Sequence, residues 1–306
     1  MNSTIDFGFA WNWEYDRDLA RILAEQCRMR GLEFLSITPE NLDAVISEIE
    51  RGAIRFRTMW DRASDSDSRF LTLINWARAN TTVRINRHEM AAHAWNKATM
   101  HLEFISSGVY TPYTIVLDPY HVQPVLREID LDILGPRFII KPAHGGGGVG
   151  VILDATGLER VLAARREHPD DYYLLQKYIE PIQMADRPAW FRVIYACGRQ
   201  HWCWWDVKTH IYTSLSDIDK ASLPMPLFEE TLVKIAGICG LDVFSSEFAL
   251  TNEQNAVVVD YINDPLDLRL KSVSEDGVPD SIVHSVAESV VATAEKALIK
   301  LLALKV

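Results

Sequence analysis

The segment 141–151, KPAHGGGGVGV, holds the residues of this sequence that are best suited to chemistry. Its four consecutive glycines, at positions 145–148, leave the loop without side chains, so that backbone N–H groups can close on an anion. Lys141 stands in an apolar run just before them, where an ammonium group needs an anionic partner. We call residues 145–150 the glycine lid. The lid predicts a phosphate site, and a flexible surface hairpin is the alternative.

The flanking sequence narrows the kind of phosphate site. Gly145, Gly147 and Gly150 match the dinucleotide spacing G-x-G-x-x-G, but that motif must end a strand and open a helix. Here β-branched and aromatic runs lie on both sides, at 137–141 and 149–153, which predicts strand, lid, strand. Protein kinases use such a hairpin, but the sequence has no His-Arg-Asp and its one Asp-Phe-Gly precedes the lid. It also has no Walker A motif.

Two acids near the C-terminal end of the sequence could bind a metal ion. Glu247 and Asp260 fall on predicted strands, 244–250 and 256–262, which a short polar turn joins. Carboxylates on adjacent antiparallel strands repel one another unless a positive charge lies between them. Together with Asn263 they form an all-oxygen set, which suits Mg²⁺. Unpaired surface acids are the alternative interpretation.

An aromatic hairpin precedes these acids. The runs 191–196 and 201–206 are separated by a turn at Gly198. Alternation along the second strand places Trp202 and Trp204 on one face and Cys203 and Trp205 on the other. Core packing is the more common role of tryptophan, and a substrate pocket is the alternative.

Strands and helices alternate in the first part of the sequence. Strands are predicted at 5–10, 33–37 and 53–60, and helices at 16–30, 41–51 and near 70–79. This alternation predicts a small parallel sheet with helices on its faces. Ligands bind beyond the carboxyl ends of such strands, so the segments 11–14 and 61–62 are candidate substrate contacts or solvated turns.

One further helix is predicted over residues 88–107. Its apolar stripe comprises Ala91, Ala92, Trp95, Thr99, Leu102 and Ile105. Lys97 lies off this stripe and is therefore expected to point away from it, as a surface lysine would.

Composition sets the broad class. With 306 residues, of which 48% are hydrophobic and 24% are charged, the chain has the composition of an ordinary globular protein with two or three subdomains. The net charge of −11 argues against a nucleic-acid or anionic-membrane surface. The four scattered cysteines predict neither a zinc site nor a disulfide framework. No membrane-length apolar run or signal sequence is evident, so we expect a cytoplasmic protein.

The lid between two lysine-bearing elements, the following segment Gln-Lys-Tyr-Ile-Glu and the late acidic pair ending in Asn-Asp-Pro resemble the ATP-grasp superfamily. The resemblance covers residues 86–269, and its most similar branch is the carboxylate–amine ligases related to glutathione synthetase and the ribosomal-protein glutamate ligase. It implies an α/β fold in three parts. These are an N-terminal parallel-sheet domain (1–86), a central subdomain with the lid (87–180) and a C-terminal subdomain with the metal and acceptor site (181–306).

The resemblance also implies roles for individual residues. ATP would be bound by two lysines, by the lid and by a hinge strand whose last acid accepts ribose hydroxyls. These positions are Lys97, Lys141, His144, Gly145, Gly146, Gly147, Gly148, Gln176, Lys177, Tyr178, Ile179 and Glu180. Arg192 would stabilise the transferring phosphoryl group. Glu247, Asp260 and Asn263 would bind Mg²⁺, and two ions are expected.

Three positions depart from the family pattern. Asp260 and Asn263 are one residue further apart than usual, and Trp190 stands where an acid often precedes the arginine. Ser245 stands where some ligases have an arginine, which leaves Arg192, Lys208 or His210 to neutralise an acylphosphate.

The expected activity is an ATP- and Mg²⁺-dependent ligase that joins a small-molecule carboxylate to an amine. A small-molecule kinase and a non-catalytic nucleotide-binding protein stay open as alternatives, as does a homodimer.

Overall fold

The computed structural model describes residues 3–126, 129–184, 186–253 and 255–303, with side chains as far as residue 299. These residues form three main sheets and nine α-helices within the described ranges. Every described helix is too short or too polar to cross a lipid bilayer.

The first sheet is parallel, with strand order β2-β1-β3-β4. Its elements are β1 (Ser3–Trp11), α1 (Arg17–Met29), β2 (Phe34–Ile37), α2 (Leu42–Glu50), β3 (Ile54–Arg62), α3 (Leu71–Asn80) and β4 (Val83–Ile85). The alternating pattern of the sequence therefore predicted this part correctly. Short β4 was not predicted, because three residues carry too little periodicity.

The predicted helix over 88–107 is wrong as a single element. The structure has two helices there, α4 (His88–Ala94) and α5 (Lys97–Ser106). Asn96 is extended, with φ −81° and ψ 100°, and its side chain accepts a hydrogen bond from the Thr99 N–H at 3.0 Å. This is an N-cap, which satisfies one of the free N–H groups that begin a helix.

The break in the helix also moves its buried face. Leu102 and Ile105, which belong to the predicted stripe, are about half exposed at 55% and 50%. Met100 and Phe104 are fully buried instead. The stripe was wrong because its spacing was counted through a break, which resets the angular phase of the helix.

The second sheet is antiparallel, with strand order β5-β8-β6-β7. Its elements are β5 (Thr114–Leu117), β6 (Phe138–Pro142), β7 (Ile152–Ala155), α6 (Gly157–Glu167) and β8 (Tyr173–Lys177). Strands β6 and β7 pair on either side of the glycine lid, so the predicted strand, lid, strand order is confirmed.

The third sheet has strand order β13-β12-β11-β14-β15 and is also antiparallel. A two-stranded ribbon, β9 (Gln183–Met184) and β10 (Arg187–Pro188), precedes it. The remaining elements are β11 (Trp190–Ala196), β12 (Arg199–Trp205), β13 (Tyr212–Ser214), α7 (Asp217–Ser222), α8 (Met225–Cys239), β14 (Val243–Leu250), β15 (Ala256–Asn263) and α9 (Asp280–Ala303). The predicted hairpin and the paired acidic strands are confirmed.

Both faces of this third sheet are buried. Trp202 and Trp204 pack in a core shared with α4, α5 and α8. Cys203 and Trp205 point the other way, into a core shared with α1 and α9. The predicted alternation is therefore confirmed, and all four side chains are core residues.

A buried ion pair connects the first sheet to the segment after β15. Arg62, at the end of β3, donates from Nε and Nη2 to Asp16 at 2.9 and 2.8 Å, and from Nη2 to the Leu266 carbonyl at 2.9 Å. The two charged side chains are 1% and 2% exposed. The suggested role of Arg62 as a substrate contact is therefore wrong, since no ligand can reach it without unfolding this junction.

We expect Arg62→Met to lower the free energy of unfolding by about 3–5 kcal/mol, because it leaves the Asp16 carboxylate buried without its partner. Urea denaturation followed by fluorescence measures this change. Arg69→Met is the matched control, since Arg69 forms an exposed pair with Asp67, and it should leave stability nearly unchanged. Equal losses of unfolding free energy in the two variants would contradict the conclusion that the Arg62–Asp16 pair stabilises the fold.

Candidate active site

The glycine lid is an open loop with backbone conformations that favour glycine. Gly145, Gly147 and Gly148 have φ values of 101°, 61° and 75°. A Cβ atom added at any of these three positions would meet no atom within 4 Å. The lid therefore needs glycine for its backbone conformation rather than for close packing. Its amides are left accessible to an anion from outside.

An acidic residue from another loop fixes the entrance of the lid. Asp171 accepts hydrogen bonds from the His144 N–H at 2.9 Å and shares one with His144 Nδ1 at 2.8 Å. The Asp171 side chain is 13% exposed, while that of His144 is 56% exposed. The imidazole is thus held by one edge, and its Nε2 faces outward. Asp171 was not predicted, since only the fold brings it to the lid.

The two predicted nucleotide lysines make contacts with different parts of the structure. Lys97 begins α5, where its N–H bonds to the Ala143 carbonyl at 2.8 Å and its Nζ donates to the Gly145 carbonyl. Lys141 ends up 9% exposed, with Nζ donating to the Val259 carbonyl on β15 at 2.9 Å. The Lys97 side chain therefore points at the lid. The interpretation as a surface lysine would require it to point away from the protein.

Three charged side chains stand side by side on adjacent strands of the third sheet. The strand register places Arg192 on β11 opposite Glu247 on β14, and Glu247 opposite Asp260 on β15. Arg192 Nη1 lies 3.1 Å from Glu247 Oε1. An irregularity in pairing occurs on either side of Glu247. The predicted approach of the two acids is real, and Arg192 supplies positive charge beside them.

The surroundings give the two acids different proton affinities. Burial raises the pKa of Glu247 to about 7, which the Arg192 charge opposes and the Asp260 charge reinforces. Burial also disfavours ionised Asp260, but the charges of Lys141, Lys97 and Arg192 outweigh this and lower its pKa. Burial lowers the pKa of Lys141, and both acids oppose that shift. Asp260 is therefore the first of the two acids to ionise as the pH rises.

Asn263 completes the predicted metal-binding set on the same strand as Asp260. Its Nδ2 donates to Asp260 Oδ2 at 3.1 Å, so the amide oxygen is left for another partner. Across the described ranges, no group of three or more histidine, cysteine, aspartate or glutamate side chains is arranged for a metal ion. A site with two carboxylates and one amide fits Mg²⁺, which completes its shell with phosphate oxygens and water.

The predicted hinge lies at the end of β8. Gln176 is buried and donates from Nε2 to the Tyr261 hydroxyl at 3.1 Å, while Lys177 is exposed. The Tyr178 ring packs under the Arg137 guanidinium, with 4.2 Å from Cζ to the ring centroid. Ile179, the next residue, is half-buried.

Glu180 follows the hinge and remains 81% exposed, with Oε1 3.8 Å from Arg137 Nη2. Its carboxylate is thus available to a hydroxyl-bearing ligand, as a ribose contact requires.

Lys208 and His210, the suggested acylphosphate contacts, lie in the turn between β12 and β13. Lys208 is exposed, and its N–H donates to Asp206 Oδ1 at 2.8 Å. The His210 ring stacks on Trp205, with 5.4 Å between centroids and an interplanar angle of 9°. The same Trp205 ring also contacts Arg192, whose guanidinium lies over it. Among the described contacts, none links Lys208 to Arg192 in this way.

A buried polar chain supports β15 behind the charged cluster. Gln176 donates to the Tyr261 hydroxyl, which lies 2.8 Å from His101 Nδ1. His101 is 4% exposed, and burial lowers its pKa from 6.5 to about 4. Because the Tyr261 oxygen accepts from Gln176, its own hydrogen is free to be donated to Nδ1 of the neutral ring.

We expect this histidine to make stability depend on pH. Its folded pKa lies below its unfolded value, so unfolding becomes easier as pH falls from 6.5 through 4, by up to about 3 kcal/mol. The slope of the unfolding free energy against pH should be shallower in His101→Gln than in the wild type. His121→Gln, at an exposed histidine, is the control and should keep the wild-type slope. Identical slopes for all three proteins would rule out a contribution of His101 to the pH dependence of stability.

A small cavity, with room for about one water molecule, lies between the first sheet and the segment after β15. Three aspartates line it, together with polar and aromatic side chains. Its lining includes Asp61, Ser64, Asp65, Asn86, His88, Trp95 and Asp264. Among the predicted candidate segments, Asp61 therefore lies at a cavity, while its neighbour Arg62 does not.

Solved structures of ATP-grasp ligases are similar to this chain over nearly its whole length. An ATP-grasp protein with a RimK domain from Sphaerobacter thermophilus is 18% identical and has a TM-score of 0.63, with 93% of this chain and 99% of that one covered. The ATP complex of D-alanine–D-alanine ligase from Bacillus anthracis is 13% identical, with a TM-score of 0.62 and coverages of 95% and 98%. The ligase PsnB, solved with a minimal precursor, Mg and ADP, is 13% identical, with a TM-score of 0.60 and coverages of 96% and 100%.

No protein-family model and no curated protein matches this sequence. The structural likeness nevertheless defines the class of fold, because it covers more than nine-tenths of both chains in each comparison. The chain therefore has the ATP-grasp fold, as its motifs indicated.

Proposed function

We propose that the protein is an ATP- and Mg²⁺-dependent ligase that activates a carboxylate as an acylphosphate and couples it to an amine. The observation that carries the proposal is the row Arg192, Glu247 and Asp260 on three adjacent strands, with Lys141 buried beside it. A protein that only binds nucleotide has no need of two carboxylates and an arginine held in one cluster.

The first half-reaction is phosphoryl transfer. A carboxylate oxygen of the substrate attacks the γ-phosphorus of ATP, the bond to the bridging oxygen breaks, and ADP leaves with that electron pair. Lys97, Lys141 and the lid amides neutralise and orient the phosphates, while Arg192 offers a forked donor to the transferring group. Bound Mg²⁺, held by Glu247, Asp260 and Asn263, would neutralise phosphate charge.

The second half-reaction forms the amide. The amine nitrogen attacks the acyl carbon of the acylphosphate, phosphate leaves with the C–O bonding electrons, and the nitrogen loses a proton to solvent. No enzyme nucleophile is needed, so catalysis rests on positioning and electrostatics. Arg192 and His210 are the residues we propose to stabilise the departing phosphate, with Lys208 at the outer edge.

The cavity beside the first sheet offers no support for the alternative kinase. A kinase for phosphorylated sugars or polyols needs a basic pocket, but this cavity is lined by Asp61, Asp65 and Asp264. Burial raises the pKa of Asp264 to about 7, and Asn86 donates to it at 2.6 Å. The cavity has room for only about one water molecule, so a phosphorylated sugar or polyol does not fit there.

We also propose that the chain divides into three parts at residues 86 and 180, with one main sheet in each part. A cytoplasmic location is also proposed, because all four cysteines are free and three of them are buried.

An ADP-release screen tests the function. Purified protein is incubated with ATP, Mg²⁺ and mixtures of amino acids, dipeptides and polyamines, and products are identified by mass. We expect at least one mixture to release ADP and form an amide, and Asp260→Asn to be inactive with it. Nucleotide binding without ADP release from any mixture would favour the non-catalytic alternative. Release of ADP with a phosphorylated alcohol as product would favour the kinase.

A further inference from the structure

Arg192 is held face-on by aromatic rings as well as edge-on by polar groups. Its Cζ lies 4.7 Å from the centroid of the Trp205 ring and 5.8 Å from that of Tyr212. Both distances are within the range of a cation–π interaction. Trp205 and Tyr212 are 6% and 4% exposed, so water does not weaken the contact.

The strand register produces this arrangement. Arg192 on β11 pairs with Cys203 on β12, and Trp205 lies two residues further along on the same face. Trp205 pairs in turn with Tyr212 on β13, with 4.7 Å between their ring centroids. His210 stacks on the indole from the turn that joins these strands. The indole is therefore fixed by its neighbours and cannot tilt freely.

Only some of the N–H donors along the edge of the guanidinium form hydrogen bonds. Nε and Nη2 donate to Ser245 Oγ at 3.2 and 3.1 Å, and Nη1 donates to Glu247 Oε1 at 3.1 Å. An arginine side chain has five N–H donors. Within the described residues, these bonds use three of them, which leaves one N–H on each terminal nitrogen. The remaining N–H groups on the two terminal nitrogens are donors for the oxygens of a phosphoryl group.

We propose that Trp205 is a positioning residue for the phosphoryl-transfer step. Its ring sets the plane of the Arg192 guanidinium, so that the two free N–H groups face the group in transfer rather than swinging out of line. The inference rests on the proposed ligase function, since it assigns the purpose of the arginine. Trp205 itself contacts no substrate.

A purely structural role for Trp205 makes a different prediction. Trp202 lies three positions earlier on the same strand, is 7% exposed and packs in the opposite core. Its ring stacks on Phe228, 5.1 Å away, and has no contact with Arg192 among the described contacts. Trp202→Leu and Trp205→Leu therefore remove similar buried rings, and only the second removes the support of the arginine.

The test measures kcat, the KM for ATP and the melting temperature of Trp205→Leu, Trp205→Phe and Trp202→Leu. We expect Trp205→Leu to lower kcat by about 10- to 100-fold, the scale of a small misplacement of a catalytic group, with less than about threefold change in KM. Trp205→Phe should recover part of kcat, because it keeps an aromatic face but loses the indole N–H that bonds to Glu247. Trp202→Leu should keep kcat within about threefold despite a similar loss of melting temperature.

Two kinetic results would overturn the proposal. One is equal loss of kcat in Trp202→Leu and Trp205→Leu, and the other is failure of Trp205→Phe to recover more activity than Trp205→Leu. Should Trp205→Leu not fold, Trp205→Phe and Trp205→His decide the question, with the larger loss of kcat expected for histidine.

A double-mutant cycle separates this inference from the ligase function. The unfolding of Trp205→Leu, Arg192→Met and the double variant is measured in urea, which requires no substrate. Non-additive effects support the contact between ring and guanidinium, whereas additive effects overturn it. If no mixture in the screen yields ADP, the ligase proposal fails by itself, and the cycle still decides whether Trp205 positions Arg192.

Discussion

Asp260→Asn is expected to reduce Mg²⁺-dependent ADP release by at least about 100-fold. Loss of a residue that merely supports a metal ligand typically costs 10- to 100-fold, and loss of a ligand should cost at least as much. Asp260 is the acid that the neighbouring cations keep ionised, whereas burial brings the pKa of Glu247 to about 7. Its carboxylate is therefore the one that is ionised at neutral pH. Initial rates at several Mg²⁺ concentrations measure the effect.

The matched control for this substitution is Glu253→Gln, at an exposed acid in the turn between the same two strands. It removes one negative charge from the same hairpin and should leave the rate within about twofold. Full activity of Asp260→Asn, with a normal dependence on Mg²⁺, would refute the metal assignment. Recovery of its activity at high Mg²⁺ would support a weakened site instead.

Arg192→Lys is expected to lower kcat by about 1,000-fold, at the lower end of what a catalytic arginine contributes to phosphoryl transfer. Lysine keeps the positive charge but has one nitrogen, so it cannot bind Ser245 and Glu247 and still present a fork to the phosphoryl group. The KM for ATP should change much less, because the lysines and the lid bind the nucleotide.

Arg199→Lys provides the comparison for this variant. Arg199 lies at the start of β12, pairs with Glu288 and has a half-exposed side chain, so lysine can replace it with little effect. Rates close to the wild type in both variants would show that Arg192 acts only as a counter-charge. A higher KM for ATP with an unchanged kcat would place Arg192 in nucleotide binding rather than in phosphoryl transfer.

Local sequence patterns predicted most of the elements that surround the site. The lid was recognisable because four glycines between two β-branched runs have few other structural uses. Glu247 and Asp260 could be paired because a short turn between two apolar runs fixes the strand register closely. Local patterns failed at Asn96. Its side chain caps a new helix there, but the apolar spacing of the sequence gives no sign of the break.

Contacts between distant segments were beyond local patterns. Arg62 was predicted in a turn and Asp16 at the start of a helix, yet they form a buried ion pair that reaches the Leu266 carbonyl. Asp171, which fixes the lid entrance, carries no motif of its own. In each case the partner lies far along the chain, and the identity of that partner depends on how the sheets pack.

The sequence by itself determined the strand–lid–strand hairpin, the paired acids and the alternation of the tryptophan strand, since each follows from backbone conformation or a short register. Tertiary structure alone decided that β14 pairs with β11 and so brings Glu247 to Arg192. The hairpin register already places Trp205 on the face of Arg192, and only the position of β11 between β12 and β14 brings Glu247 to the edge of the guanidinium. Local rules fix the direction of a side chain, but packing between sheets fixes what it touches.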